Sequence, residues 1–233
     1  MKPMLVPIRE CGDPLVDVRI VGGLLFGPPP ECPETEPEYC LLRRQVYLKL
    51  LRVQQSLPKG YHLRLYEGLR SLAVQSLLFE QERERVRTRH PHLTPEEIHA
   101  EASILVAPVV NWDGSVNTPP HSTGGAVDIE IVDAAGRVID FGMEIKDWSS
   151  VPPELCAPEC ASLTEAAARN RCLLAYALER EGFVFYHLEW WLFSYGDRYW
   201  GSRTRRSHAI YGACSVEMIA AARNEVPAKK QSV

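Results

Sequence analysis

The sequence lacks an excess of positive charge: 26 Lys and Arg face 30 Asp and Glu, a net charge of −4. Without a basic field a chain has no electrostatic means of gathering nucleic acid, so that class of partner is set aside. Long apolar runs are missing too. Each falls well short of the roughly 18–20 residues that a membrane span needs, and no membrane partner is expected. Met1 to Cys11 holds one Lys and no extended apolar stretch, unlike an export signal, which makes a cytoplasmic location the expectation. Cysteine is present but unpatterned. The seven residues are odd in number, and the one close pair, Cys156 and Cys160, has no second pair to complete a zinc knuckle. No disulfide framework follows. There are no internal repeats and no apolar patch that indicates an oligomeric state. What remains, 45% hydrophobic and 24% charged residues over 233 positions, suits one globular domain.

The pattern along the chain is α+β. A strand is expected over 15–20 and a Pro- and Glu-rich loop over 27–38. Leu42, Val46, Leu50 and Val53 recur at helical spacing and predict a helix over 39–55. A strand over 61–67 and a helix from Ser71 to about Arg89 follow, the latter with a charged, solvated second half. Thr94-Pro95-Glu96-Glu97 is a helix start with a capping box, and its helix is expected to reach about Val106. Residues 108–120 read as a loop, 125–132 as a strand and 133–136 as a turn. Residues 162–181 read as a helix entered through a Ser-x-x-Glu box and closed by Gly182, and 183–195 as an aromatic strand. The expected architecture is a single domain over 1–223, a mostly antiparallel sheet with helices packed on one side, and a flexible tail over 224–233.

Three clusters carry chemistry. In His121-Ser-Thr-Gly-Gly-Ala-Val-Asp128 an imidazole on a loop is followed seven residues later by a carboxylate on a strand, with small residues between. Such a pair suits a zinc ion, and equally a simple His–Asp hydrogen bond. In Glu189-Trp190-Trp191-Leu192 a carboxylate beside two indoles sits in surroundings that raise its pKa toward the range of a general base, although a buried Glu–Arg pair accounts for it as well. In Tyr66-Glu67-Gly68-Leu69-Arg70-Ser71 an Arg at a strand-to-helix corner can reach into a cleft and clamp a carboxylate or an oxyanion, or form a surface ion pair.

Taken in this order, and with Tyr195-Gly196-Asp197-Arg198-Tyr199-Trp200, the clusters resemble the VanX-type D-alanyl-D-alanine dipeptidases. These are zinc peptidases related in fold to the D-Ala-D-Ala carboxypeptidases and the hedgehog signalling domain. The resemblance runs from about Leu15 to Tyr211 and implies a hydrolase for D-Ala-D-Ala or a similar small dipeptide; with no export signal expected, it would act on free dipeptide rather than on assembled cell wall. It implies that His121 and Asp128 bind zinc, that Glu189 is the general base on metal-bound water, and that Arg70 stabilises the charged intermediate. Trp191 and Ser122, in the same segments, are candidate substrate contacts. The resemblance breaks at one position: the family's third zinc ligand is the His of Glu-Trp-Trp-His, and here that place is Leu192. If 186–193 is a regular strand, His187 shares a face with Glu189 and Trp191 while Leu192 points away, which makes His187 a candidate replacement ligand. The corner also reads Leu-Arg-Ser instead of Tyr-Arg-Pro. The missing ligand keeps two alternatives open: a metal-poor relative that binds or transforms a dipeptide-like substrate in a specialised pathway, or an interaction protein on the same scaffold.

Overall fold

The computed structural model describes residues 6–28, 30 and 32–224; beyond Asn224 the expected tail lies outside them. The chain begins with β1 (Leu15–Asp17), the one-turn α1 (Val18–Val21) and the short β2 (Leu25–Phe26). The strand expected over 15–20 thus stops early. The Asp17 carboxylate accepts the Arg19 amide at 2.9 Å and turns the chain into a helix. The Pro-rich stretch includes a 3₁₀ turn at Pro33–Thr35. Then come β3 (Leu41–Arg43) and α2 (Arg44–Ser56). The helix expected from residue 39 starts five residues later because Leu41–Arg43 is drawn into antiparallel pairing with β1. Tertiary pairing here overrides a helical repeat that already includes Leu42.

After β4 (His62–Glu67), α3 (Leu72–Arg89) is capped by the Ser71 hydroxyl, which accepts the Val74 amide at 3.3 Å. The helix α4 (Pro95–Ala102) opens with the complete Thr94–Glu97 capping box and ends four residues before Val106. The strand β5 (Ala126–Val132) precedes the one-turn α5 (Pro153–Cys156) and α6 (Glu165–Arg180). The cap of α6 is Thr164, whose hydroxyl accepts the Ala167 amide at 3.1 Å, and not the box begun at Ser162. The aromatic stretch 183–195 forms two strands, β6 (Val184–Tyr186) and β7 (Glu189–Ser194), joined by a tight turn at His187 and Leu188. Helices α7 (Arg198–Arg203) and α8 (Val216–Asn224) complete the chain.

The main sheet runs β2-β4-β5-β7-β6 and is antiparallel except for the β2–β4 pair. All seven residues of β5 are buried, as its central place demands. Val46, Leu50 and Val53 of α2 and Leu174 and Leu178 of α6 share one core with Leu63, Leu65, Ile129 and Ile131 of the sheet. The α3–α4 pair builds its own cluster of Phe79, Val86, Ile98, Ala102 and Val106 against Trp148. All seven cysteines are free, and no helix among the described residues is long and apolar enough to cross a membrane.

Candidate active site

A cavity of about 400 Å³ opens beside the ends of β4, β5 and β7. Glu67, Arg70, His121, Asp128, Glu189 and Trp191 all line it, so the three clusters separated in sequence meet in one place. Adjacent strands explain the meeting: Glu67 pairs with Asp128 across β4 and β5, and Asp128 pairs with Leu192 across β5 and β7.

His121 stands in a 3₁₀ turn, closed by Gly124 in the left-handed region at φ 68°. Its Nδ1 lies 2.7 Å from the Gly68 carbonyl oxygen. A carbonyl only accepts, so Nδ1 carries the proton and Nε2 presents a lone pair. That Nε2 faces Asp128 Oδ1 at 3.4 Å, and Oδ1 has no hydrogen-bond partner. In the neutral imidazole these are two buried acceptors turned toward each other, an arrangement completed by a cation between them, a proton or a metal ion. Two ligands on one tetrahedral zinc, each at roughly 2.0–2.1 Å, stand about 3.3 Å apart, so this pair fits the ion.

Gly68 is more than a spacer here. A Cβ at this position would fall 2.7 Å from the Leu41 carbonyl oxygen and 2.9 Å from that of Tyr39. Backbone atoms cannot yield to it, so Gly68→Ala is expected to displace the carbonyl that orients His121. The expected outcome is a lower melting temperature together with a loss of metal affinity, read by thermal denaturation and metal titration.

Arg70 Nη2 donates to Glu67 Oε2 at 2.6 Å and to Asp128 Oδ2 at 3.3 Å. Burial alone would lower the basicity of Arg70, but the charge and hydrogen bond of Glu67 and the charges of Asp128 and Glu189 reverse this and raise it. Glu189 is buried in the cavity wall. Burial, then the charge of Asp128, push its carboxyl well above the ordinary 4.5, against the opposing pull of Arg70 and a hydrogen bond with Trp191. Tyr186 pairs with Glu189 across the two strands and donates its hydroxyl to the Ile104 carbonyl at 3.2 Å; burial, then the charge of Glu189, push that hydroxyl up to about 12.

Three expectations fail on geometry. His187 sits exposed in the β6–β7 turn and is not among the cavity-lining residues. Its strand is not regular: the pairing shifts register between Phe185 and Tyr186, and Tyr186 meets Glu189 directly across the turn. Leu192, expected to point away, lines the cavity opposite Asp128. Ser122 is buried but does not line the cavity; its carbonyl accepts the Cys214 amide at 2.8 Å. Among the described residues no three His, Cys, Asp or Glu stand together in metal-holding geometry. Asp197 has a structural task. Its Oδ1 caps α7 by accepting the Trp200 amide at 2.8 Å, and the Trp200 indole donates to the Gly182 carbonyl at 2.9 Å. Glu67 received no role from sequence, although its place three residues before Arg70 is the spacing of a local ion pair.

Residues 34–210 match the model of the Peptidase M15 family, described as D-Ala-D-Ala dipeptidase. A D-alanyl-D-alanine dipeptidase of Synechocystis sp. is 29% identical over 232 residues, covering 89% of this chain and 92% of that protein. Among solved structures, the LdcB LD-carboxypeptidase aligns with a TM-score of 0.46 and 17% identity, over 87% of this chain and 81% of that one. A VanY D,D-pentapeptidase mutant in complex with Zn(II) aligns at 0.42 and 13%, over 73% and 80%.

Proposed function

From the premise that the chain belongs to the Peptidase M15 family of D-Ala-D-Ala dipeptidases, we propose that it cleaves D-Ala-D-Ala or a similar small dipeptide with the help of zinc. The observation that carries this reading is the convergence of His121 Nε2 and Asp128 Oδ1 at 3.4 Å, in one cavity with Arg70 and Glu189. His121 and Asp128 would hold the metal. The chemistry supplied by bound zinc is polarisation of the scissile carbonyl and acidification of the attacking water.

The other groups have tasks that follow from their surroundings. A carboxyl whose pKa is raised by burial is suited to take a proton and give it back. Glu189 accordingly takes the proton from the attacking water and passes it to the leaving amine. Arg70, already beside two carboxylates, offers its remaining N–H groups to the negative charge that develops on the carbonyl oxygen. Trp191 gives the dipeptide side chains an apolar wall.

Leu192, facing the cavity opposite Asp128, favours a second reading in which the dipeptide is bound without being cleaved. One paired experiment separates the two. Zinc-supplemented protein is mixed with D-Ala-D-Ala; released alanine is measured, and binding is followed by calorimetry. Release of alanine supports hydrolysis. Saturable binding without release supports the second reading.

A further inference from the structure

We propose that Glu67 is the third metal-holding residue, so that a ligand on β4 replaces the one absent from β7. The inference rests on the zinc-dependent reading above and adds a ligand that the family resemblance does not supply.

Asp128 has a neighbour on each side: Leu192 on β7, which cannot hold a metal, and Glu67 on β4. Glu67 is 5% exposed and lines the cavity. One nitrogen of Arg70 takes an oxygen from each carboxylate, Glu67 Oε2 at 2.6 Å and Asp128 Oδ2 at 3.3 Å. The other oxygen of each, Glu67 Oε1 and Asp128 Oδ1, is buried with no hydrogen-bond partner. Buried carboxylate oxygens are normally completed by a donor, a water or a cation, and these two open onto the same cavity as His121. Charge leads to the same conclusion. Glu67 and Asp128 set two carboxylates against the single guanidinium of Arg70, and a cation offsets the excess negative charge.

Glu67 meets Asp128 just past a register shift after Leu65, and Arg70 bridges one oxygen of each, so a turn of the Glu67 side chain about its own bonds is what brings Oε1 to the ion. The turn is needed, because in the resting arrangement the third donor is not yet in place. The other candidates are worse placed. His187 is exposed in its turn, and Asp197, which also has an unpartnered oxygen, caps α7 and does not line the cavity.

The test uses the full chain stripped of metal and titrated with Zn²⁺ against a chromophoric chelator. The wild type is expected to bind one zinc. Glu67→Gln is expected to weaken binding at least about 100-fold, beyond the 10–100-fold that follows loss of an outer hydrogen-bonding partner. Adding Leu192→His to Glu67→Gln, which restores a ligand from β7, is expected to recover the affinity. X-ray absorption at the zinc edge of the loaded wild type, which needs no variant, is expected to show a single imidazole with oxygen donors. Wild-type affinity in a folded Glu67→Gln, no recovery in the folded double variant, or a second imidazole in the zinc shell each overturns the assignment. If the wild type binds no zinc, the assignment falls as well. Dipeptide turnover, measured separately, then decides whether the hydrolase reading falls with it.

Discussion

Glu189→Gln is expected to lower turnover of the dipeptide by roughly 10²–10⁴-fold, the usual contribution of a positioned general base. The same substitution is expected to make the metal-free protein more stable at neutral and alkaline pH. Glu189 is buried, and its carboxyl is raised by that burial and by Asp128. A group whose pKa is higher in the folded chain stabilises the fold fully below its unfolded value. That stabilisation is lost as pH rises through the folded value. The wild type should therefore lose stability from about pH 4.5 upward, while the amide, which cannot ionise, should not. Melting temperatures of both proteins across pH check this. Parallel curves would mean that Glu189 is not held in a desolvated site. Turnover unchanged in the variant would remove it from the chemistry.

Arg70→Ala is expected to be the most damaging single change in the site. It leaves Glu67 and Asp128, 6% and 4% exposed at their side chains, without their shared cation. Removing one partner of a buried ion pair costs about 3–5 kcal/mol, because the charge left behind stays desolvated. Denaturant unfolding of the metal-free protein measures this directly. Zinc should restore part of the lost stability, since it can neutralise the same carboxylates. Kinetically, the loss should fall on kcat more than on KM, because the developing charge that Arg70 meets is absent from the ground state. A loss confined to KM would make Arg70 a substrate clamp instead.

The parts of the fold readable from sequence are those with local causes. Ser71 and Thr94 announce their helices because a cap is a bond between near neighbours. The run Ala126–Val132 announces a central strand because its burial leaves no polar face. Arg70, His121, Asp128 and Glu189 are chemically conspicuous, and the structure brings all four to one cavity. What stayed hidden depends on contacts distant in sequence. Leu41–Arg43 looks helical and becomes a strand only because β1 lies beside it. The turn at His187 and Leu188 carries no Gly, Asn or Pro, so alternation reads straight through it, and the places of His187 and Leu192 are misjudged. The Gly68 carbonyl that fixes the His121 tautomer belongs to the backbone and leaves no mark in residue type. Glu67 gains meaning only from standing opposite Asp128.

The central claim is that this cavity performs zinc-assisted peptide hydrolysis despite Leu192. The most direct measurement is release of free alanine from D-Ala-D-Ala by protein loaded with one equivalent of zinc, compared with the same protein after chelation. Release that depends on zinc and returns when zinc is restored is the predicted result. No release from a folded, zinc-loaded chain, or release that is indifferent to chelation, would contradict it.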